Sequence, residues 1–369
     1  IKLFSPYRGM KPLPSDDSRL TRFILPQKYS AIKNVSLKGK RKDCRGNALE
    51  LFSGFTLAPE NSWIDESINF KNVVLVVDPT NGSLTGIAKK IFTQAGVGKV
   101  FEVNGKLNGD VNVFSGVADL EGRDRITAEQ IKNPCGYFYR HKAVVKLFEV
   151  GRKHKSSLRK GIMRAVATIF DADADRFFML EYDPFKDLLW VLSGDETAIL
   201  QAKHLSTQFP EKYKGSLYIN TVESDLNAAT AAEKMGLKPE LTAVGDKWIL
   251  LKILLKHLEQ KAKHNACPKQ KRMEFQREAK KLKKVGITSI DSLKKLSNIL
   301  GKKRGLKENA SSVLAVGSEE TELSFGKNIR LSRNSTSGGS SAAVVLGKPM
   351  ALASVLIAGA LIVIISMSF

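Results

Sequence analysis

Hydrophobic residues along the middle of the chain alternate between the spacing of buried strands and that of helices. Residues 73–78, VVLVVD, form a short β-branched run of the kind found in strands buried on both faces of a sheet. Residues 79–82, PTNG, are a turn signal, and residues 84–95 then place apolar side chains at helical spacing. Residues 99–103 form a second strand, so the pattern predicts a β-α-β unit.

The same alternation returns after residue 165 and predicts a second set of elements. A buried strand and a hairpin come first, followed by alternating helices and strands. The predicted strands are 165–170, 177–181, 188–192, 216–220 and 237–242, and the predicted helices are 194–209, 225–235 and 248–263. The chain is therefore predicted to have an α/β fold with two layered domains, at 73–185 and 186–258.

The segments beside these units carry weaker patterns. Residues 1–72 combine scattered Pro, Lys and Arg with one short apolar stretch, so we expect an irregular segment lying on the folded body. Residues 104–160 are also poorly patterned and are predicted to be strand and loop.

The last twenty residues, 350–369, contain no charged side chain and are long enough to cross about 30 Å of hydrocarbon as a helix. A core helix of this length would normally have a polar stripe, so residues 348–369 are predicted to be a transmembrane anchor; the alternative is a buried or aggregation-prone tail. Lys348 and the arginines before it predict that the bulk of the protein lies on the cytoplasmic, or organellar matrix or stromal, side. Residues 310–347, rich in Ser, Gly, Asn and Thr, predict a flexible linker.

The composition is that of a globular protein with one strongly basic region. Apolar residues make up 43% and charged residues 26% of the 369 residues, which excludes a wholly disordered chain and a polytopic membrane protein. The formal net charge is +22. Residues 252–307 contain 18 Lys and Arg against four acidic residues, so this stretch alone carries +14.

Residues 259–309 form the predicted basic helical module, and their charge indicates an anionic partner. Because the module precedes the predicted membrane span, anionic lipid headgroups are favoured, at about 1 kcal/mol per basic residue near the surface; an acidic surface in a membrane protein complex is also compatible. Nucleic acid is disfavoured because Phe275 is the only aromatic residue between 261 and 307. The simplest alternative is a solvated pair of amphipathic helices at 273–285 and 290–300.

The triplet Asp171, Asp173 and Asp175 directly follows the predicted strand 165–170 and is the sharpest chemical feature. Carboxylates so close together repel one another unless a cation lies among them. A turn at the C-terminal end of a buried strand, where α/β proteins bind ligands, can direct all three to one point. Hard oxygen ligands favour Mg²⁺, Mn²⁺ or Ca²⁺. An EF-hand is excluded because Arg176 stands where that loop needs Gly, and a solvated acidic turn is the alternative.

The sequence FDADADR at 170–176 resembles the metal loop of the α-D-phosphohexomutases, the phosphoglucomutase/phosphomannomutase superfamily. VVDPTNGSLTGIAKKIF at 76–92 and EVNG at 102–105 resemble the start of the family's second domain. SGDETAIL at 193–200 and VGDKWIL at 244–250 resemble successive landmarks of its third domain. The resemblance covers half of the chain.

This resemblance implies a Mg²⁺ ion, held by the three aspartates, that assists phosphoryl transfer between a phosphoserine and a hexose phosphate. It also implies substrate contacts for Arg176 and for the turn Gly245-Asp246-Lys247, in which Lys247 replaces the family's Arg. The same turn is equally compatible with the start of a helix that has Asp246 as its N-cap.

Other landmarks of the family are not found in this sequence. No Thr-x-Ser-His-Asn-Pro phosphoserine loop precedes residue 73, no Gly-Glu-x-Ser-Gly-His sugar loop follows the long helix, and the Arg/Ser/Gly phosphate loop is missing. None of the five histidines has a context typical of a general acid or base. The favoured hypothesis is a membrane-anchored, non-catalytic scaffold or complex subunit that retains the Mg²⁺-binding loop. The alternative is a phosphoglucomutase or phosphomannomutase completed by segments outside this chain.

Overall fold

A six-stranded mixed sheet is the centre of the fold. The computed structural model describes residues 3, 5, 10–30, 43–58, 69–107, 109–264, 273, 277, 280, 286–301 and 317–318. The strands of this sheet are β1 (Val73–Asp78), β2 (Lys99–Glu102), β3 (Arg125–Thr127), β4 (Arg164–Phe170), β5 (Phe177–Asp183) and β6 (Leu188–Leu192). Their order is β2-β1-β4-β5-β6-β3. β1 runs parallel to β2 and β4, and the remaining pairs are antiparallel.

Helices cover both faces of this sheet and form most of the rest of the described chain. They are α1 (Pro14–Ile24), α2 (Arg45–Leu57), α3 (Ile87–Gln94), α4 (Tyr137–Arg140), α5 (Lys142–Lys153), α6 (Lys155–Arg159), α7 (Gly194–Gln208), α8 (Pro210–Tyr213), α9 (Leu226–Lys234), α10 (Asp246–His264) and α11 (Ile290–Gly301), with a 3₁₀ turn at Ala118–Leu120. The α/β fold class predicted from the alternating pattern is confirmed.

β1 is buried on both faces, as its continuous apolar run predicts. Val73, Leu75 and Val77 pack into one core together with side chains of α2, α3 and α7. Val74 and Val76 pack into a second core, on the opposite face, with α5. Because successive side chains of a strand point to opposite faces, an apolar strand needs a core on each side. Each fully buried aliphatic side chain contributes about 1.5–3 kcal/mol.

A smaller parallel sheet follows in the second unit. It consists of β7 (Leu217–Thr221), β8 (Lys238–Thr242) and β9 (Gly317–Ser318), in the order β8-β7-β9. α7 connects it to the first sheet and begins with a capping box, in which Ser193 and Glu196 bond each other's backbone amides. Ala198 and Ala202 of α7 belong to the same core as β1, so the two units share apolar packing.

Residues 1–72 contain the helices α1 and α2, so the prediction of an irregular segment was wrong. The helix α1 could not be recognised from its hydrophobic pattern, because it does not bury the usual stripe of apolar side chains. Three successive apolar side chains at its end are exposed (Phe23, Ile24 and Leu25), and its buried residue is Asp16. α2 packs on the β1 core through Phe52, which is the part of this segment that the apolar pattern indicates.

Asp16 joins the beginning of the described chain to its C-terminal helices. Its Oδ2 accepts a hydrogen bond of 2.8 Å from the backbone N of Ile290, the first residue of α11. Leu13 and Met10 lie in an apolar cluster with residues of α10 and α11. Asp16 therefore satisfies an amide at the N-terminus of a helix that is 274 residues away in sequence.

Residues 104–160 are more regular than the predicted strand and loop. They contain β3, the 3₁₀ turn, α4 and α6 besides α5, which runs from Lys142 to Lys153. α5 buries one continuous face, formed by Ala143, Val144, Leu147, Phe148, Val150 and Gly151. The helical period was present in the sequence, but basic residues interrupt the apolar run and a strand assignment was wrong here.

The C-terminal predictions are only partly within the described residues. α11 matches the helix predicted at 290–300. About half of 259–309 and the whole predicted anchor at 348–369 lie outside the described residues, as does the linker at 310–347 apart from β9. In the part of the chain that the structure describes, none of the helices combines the length and the apolar character needed to span a bilayer.

Candidate metal centre

The aspartate triplet lies on the loop that follows β4 and joins it to β5. One carboxylate oxygen each from Asp171, Asp173 and Asp175 can be chosen so that all three lie within 4.8 Å of one another. Asp171 is 5% and Asp175 9% exposed, whereas Asp173 faces solvent. The loop therefore directs three carboxylates to one point at the C-terminal end of a buried strand.

This spacing can be compared with the coordination of divalent cations. Ligands at about 2.1 Å from Mg²⁺ lie at most about 4.2 Å apart, and ligands of Ca²⁺ at most about 5 Å apart. A spread of 4.8 Å thus accommodates Ca²⁺ directly and Mg²⁺ after a small rotation of the side chains. All three donors are hard carboxylate oxygens, so the residues present fit the cation that the resemblance implies.

The position of Asp171 is fixed by hydrogen bonds within the loop. Its Oδ1 accepts from the backbone N of Asp175 at 3.0 Å and of Arg176 at 3.2 Å, and its Oδ2 accepts from Arg176 Nε at 3.1 Å. Burial, together with the charge of Asp173, raises the pKa of Asp171 above its ordinary value, although Arg176 opposes the shift. A bound cation would favour the ionised form of Asp171 and remove this penalty.

Arg176 lies beside the triplet and pairs with two acidic residues. Besides the bond to Asp171, its Nη1 lies 3.2 Å from Oε1 of Glu121. Its side chain is 39% exposed, so part of the guanidinium is open to solvent next to the metal loop. The predicted substrate residue therefore lies beside the metal loop, with part of its guanidinium available to an anionic ligand.

The loop after β1 supports the metal loop directly, because β1 and β4 are parallel neighbours and their C-terminal ends lie together. The backbone N of Ser83 donates to the carbonyl O of Ala172 at 2.8 Å. A Cβ added to Gly82 would lie 2.2 Å from that same oxygen, so only glycine fits here. The turn at Asn81-Gly82, which the sequence indicates as a plain turn, thus also supports the metal loop, through Gly82 and the following Ser83.

Asp78 is a buried carboxylate of this region that the sequence pattern gave no reason to select. It is the last residue of β1 and is fully buried. Its Oδ1 accepts from the backbone N of Thr80 at 2.8 Å and its Oδ2 from Nδ2 of Asn104 at 2.9 Å. Burial raises the pKa of Asp78 to about 7, against these two hydrogen bonds and the nearby charge of Lys142. A polar residue at the end of an apolar strand is the only sequence signal for this role.

Replacing Asp78 with asparagine is expected to flatten the dependence of stability on pH. Because the pKa of Asp78 rises from 3.8 in the unfolded chain to about 7, its contribution is most favourable below pH 3.8 and is lost as the pH rises through 7. Relative to D78N, the wild type should therefore lose about 2–3 kcal/mol of unfolding free energy between about pH 5 and pH 8. Asn104 can rotate its amide to bond the new side chain.

Urea unfolding at the two pH values measures this difference. The exposed Asp124 provides the control, since D124N makes the same charge change on the surface. Equal pH slopes for the wild type and D78N would show that Asp78 ionises normally.

The turn Gly245-Asp246-Lys247 lies at the start of α10 in the second unit. Gly245 has a φ of +115°, and the helix begins at Asp246. Lys247 Nζ lies 3.0 Å from Oδ2 of Asp17 in α1 and 5.6 Å from the centre of the Trp248 ring. These contacts do not join Lys247 to the aspartate triplet, so the structure brings together Arg176 and the aspartates but leaves this turn as a separate element.

Comparison with known proteins relates part of this chain to one family. Residues 193–260 match the family described as phosphoglucomutase/phosphomannomutase, alpha/beta/alpha domain III. The phosphoglucosamine mutase of Caldicellulosiruptor saccharolyticus is 23% identical over 258 residues, which cover 69% of this chain and 46% of that protein. The phosphoglucosamine mutase of Desulforapulum autotrophicum is 30% identical over 103 residues, covering 27% and 21%.

Some solved protein structures also resemble this chain, with low sequence identity and low structural similarity. A putative phosphomannomutase from Thermus thermophilus has 15% sequence identity and a TM-score of 0.41, covering 68% of this chain and 46% of that one. The N-acetylphosphoglucosamine mutase of Aspergillus fumigatus, solved with GlcNAc-6P and magnesium, has 16% identity and a TM-score of 0.37, covering 55% and 36%.

The family match and the curated relatives show that this chain is related to the α-D-phosphohexomutase superfamily. The relationship runs through the second and third domains of that superfamily, as the motifs at 170–176 and 193–200 predicted. Within the superfamily, the two curated relatives from Caldicellulosiruptor and Desulforapulum are phosphoglucosamine mutases. Three curated relatives match this chain over most of its length. The chain spans only about half the length of each of these relatives.

Proposed function

We propose that this chain is a phosphohexomutase-like protein that binds Mg²⁺ at the aspartate triplet and holds a hexose phosphate there without interconverting it. The observation that carries this proposal is the convergence of three carboxylate oxygens within 4.8 Å on the loop after β4. Hard oxygen ligands without a soft donor suit Mg²⁺. The relation to mutases acting on hexose phosphates supports a ligand of that class.

Some residues of this site would bind the ligands through their charge, and others hold the metal loop in position. Asp171, Asp173 and Asp175 would hold the cation, and a bound Mg²⁺ supplies positive charge for the oxygens of a phosphate group. Arg176 adds a guanidinium whose exposed part can donate to the same group, while its Nε keeps Asp171 in place. Ser83 and Gly82 hold the loop backbone from the other side.

A non-catalytic role is supported by the state of a buried histidine in the first unit. His141, the fully buried histidine nearest in sequence to the metal loop, accepts from the backbone N of Val144 as the N-cap of α5. Burial lowers the pKa of His141 to about 4, so the ring is neutral near pH 7, and its Nδ1 is occupied by the amide at the start of the helix. The role we propose is that of a scaffold or complex subunit.

Attachment to a membrane is the second part of this proposal. Residues 350–369 carry no charge, and the basic residues of 252–307 precede them. An apolar stretch of that length suits a helix across a bilayer, and lysines and arginines suit the anionic headgroups beside it. The bulk of the chain would then face the cytoplasm, or an organellar matrix or stroma.

The alternative function is that of a hexose-phosphate mutase completed by segments outside this sequence. The names of the curated relatives favour it, because the Caldicellulosiruptor and Desulforapulum proteins are both phosphoglucosamine mutases. In that case the triplet would serve phosphoryl transfer, and the first domain with its phosphoserine would come from elsewhere.

One experiment separates the two functions. The full chain, purified from membranes, is assayed with Mg²⁺ on glucose 1-phosphate, mannose 1-phosphate and glucosamine 1-phosphate by coupled detection of the 6-phosphates. We expect no turnover, but a Mg²⁺-dependent component of hexose phosphate binding, measured as the difference between titrations in Mg²⁺ and in EDTA, that is lost in D173N. Turnover that D173N abolishes would overturn the non-catalytic role, and recovery of the chain without membranes would overturn the anchor.

A further inference from the structure

A cavity of basic character lies next to the loop after β1, and Asn81 of that loop is one of its lining residues. This cavity of 630 Å³ opens beyond the C-terminal ends of β1 and β2, between the loop 104–114 and the start of α5. Its charged lining residues are Lys89, Lys106, Arg140, Lys142, Glu102 and Asp110. We call this cavity the basic pocket. Its volume is in the range of small-molecule sites.

Four basic and two acidic side chains line the basic pocket, so it has two more positive than negative groups. None of its four cationic side chains makes an ion pair with another residue in the described ranges, and all four are exposed. Glu102, one of the two acids, is already engaged, since its carboxylate accepts from the backbone N of Gly86 at 3.2 Å. Glu102 and Asp110 offset two of the four cations, and the two remaining positive charges favour an anionic ligand in the cavity.

The backbone around the basic pocket is held in place by side chains that point into its walls. Asn81 Nδ2 donates to the carbonyl O of Asp110 at 2.9 Å, and Asn81 Oδ1 accepts from the backbone N of Lys106 at 3.0 Å. Asn104 bonds the buried Asp78 at 2.9 Å. These hydrogen bonds connect the loop after β1 to the loop after β2, so the walls are preformed and only the ends of the cationic side chains need to move.

Unusual backbone conformations are concentrated on the same loops. Seven described residues other than glycine have positive φ, and five of them lie within 80–114: Thr80, Asn81, Asn104, Asn112 and Phe114. Asparagine adopts this conformation readily, but a β-branched threonine at φ 50° and a phenylalanine at φ 48° are strained. Such strain persists where the surrounding structure fixes it, and it is characteristic of ligand-binding loops.

We infer that the basic pocket binds the dianionic phosphate of a small phosphate monoester. Two excess positive charges match a phosphate dianion, and lysine and arginine are the residues that bind it through charge-assisted hydrogen bonds. The cavity is larger than a phosphate alone, so it leaves room for the body of the ester. None of the three aspartates lines the basic pocket, and the binding that we infer there requires no metal.

The test is a calorimetric titration of the full chain with inorganic phosphate and with glycerol 3-phosphate, at constant ionic strength and in EDTA. We expect saturable binding that weakens at least about tenfold in the double variant Arg140→Gln/Lys142→Gln. Lys90 neighbours Lys89 in sequence but does not line the cavity, so K90Q should change the affinity by less than about twofold. D173N should bind as the wild type does.

Each other outcome overturns the inference. Equal affinity in the wild type and the double variant would remove the basic pocket as the site, and loss of binding in D173N would assign the phosphate to the metal loop. Glycerol 3-phosphate that binds tenfold more weakly than inorganic phosphate would exclude a monoester. Absence of saturable binding at about 10 mM phosphate would exclude an anion site of useful affinity. Thermal unfolding of every variant verifies that it is folded.

Discussion

Asp173→Asn is expected to weaken Mg²⁺ binding by this chain about a hundredfold. Asp173 supplies one of three converging carboxylates, and a neutral amide oxygen is a much weaker ligand for a small hard cation. The side chain is exposed, so the substitution removes charge without disturbing buried packing. Because the charge of Asp173 raises the pKa of Asp171, D173N should also bring that pKa down.

Isothermal titration with Mg²⁺ and thermal unfolding with and without the ion measure both effects. The wild type should melt at a higher temperature when Mg²⁺ is added, whereas D173N should not. Asp43→Asn is the matched control, since it makes the same change of charge at an exposed position far from the triplet in sequence. Equal Mg²⁺ affinity in D173N and the wild type would leave the triplet as a solvated acidic turn.

Gly82→Ala is expected to destabilise the fold by about 2–3 kcal/mol and to lower Mg²⁺ affinity at the same time. The added Cβ would lie 2.2 Å from the carbonyl oxygen of Ala172, which is backbone and cannot rotate away. The loop after β1 must therefore separate from the metal loop, and the hydrogen bond from Ser83 N to Ala172 O is lost.

Chemical denaturation and Mg²⁺ titration of the same variant test this coupling. Gly54→Ala in α2 is the control, because nothing lies within 4 Å of its added Cβ and alanine favours a helix by about 0.5–1 kcal/mol. G54A should thus be neutral or stabilising. A Gly82→Ala variant as stable as the wild type and with unchanged Mg²⁺ affinity would mean that the two loops are not in contact in solution.

The strands of the core could be predicted because a strand that is buried on both faces has a continuous run of apolar residues. Val73–Asp78 is continuously apolar, and each of its faces finds a core. The carboxylates of 171–175 could also be assigned to one loop, since they directly follow such a strand. Both the strand and the metal loop are therefore indicated by a pattern of fewer than ten consecutive residues.

Features that depend on distant contacts could not be predicted in the same way. α1 buries Asp16 because this carboxylate accepts a hydrogen bond from the first amide of α11, which only the folded chain brings near. Asn81 belongs to a turn in the sequence, yet its side chain joins two loops that are about 25 residues apart. The cations of the basic pocket are likewise spread over more than 50 residues, so no local motif marks them.

The bond between Asp16 and the amide of Ile290 has a consequence for the order of folding. The two residues are 274 positions apart in sequence. At a synthesis rate of about 5–20 residues per second, Ile290 is therefore added to the chain roughly 15–50 s after Asp16. During that time the β-sheet unit can already form around β1, because its pairings span shorter separations. The apolar cluster that Met10 and Leu13 form with α10 and α11 can then close only after α11 has been made.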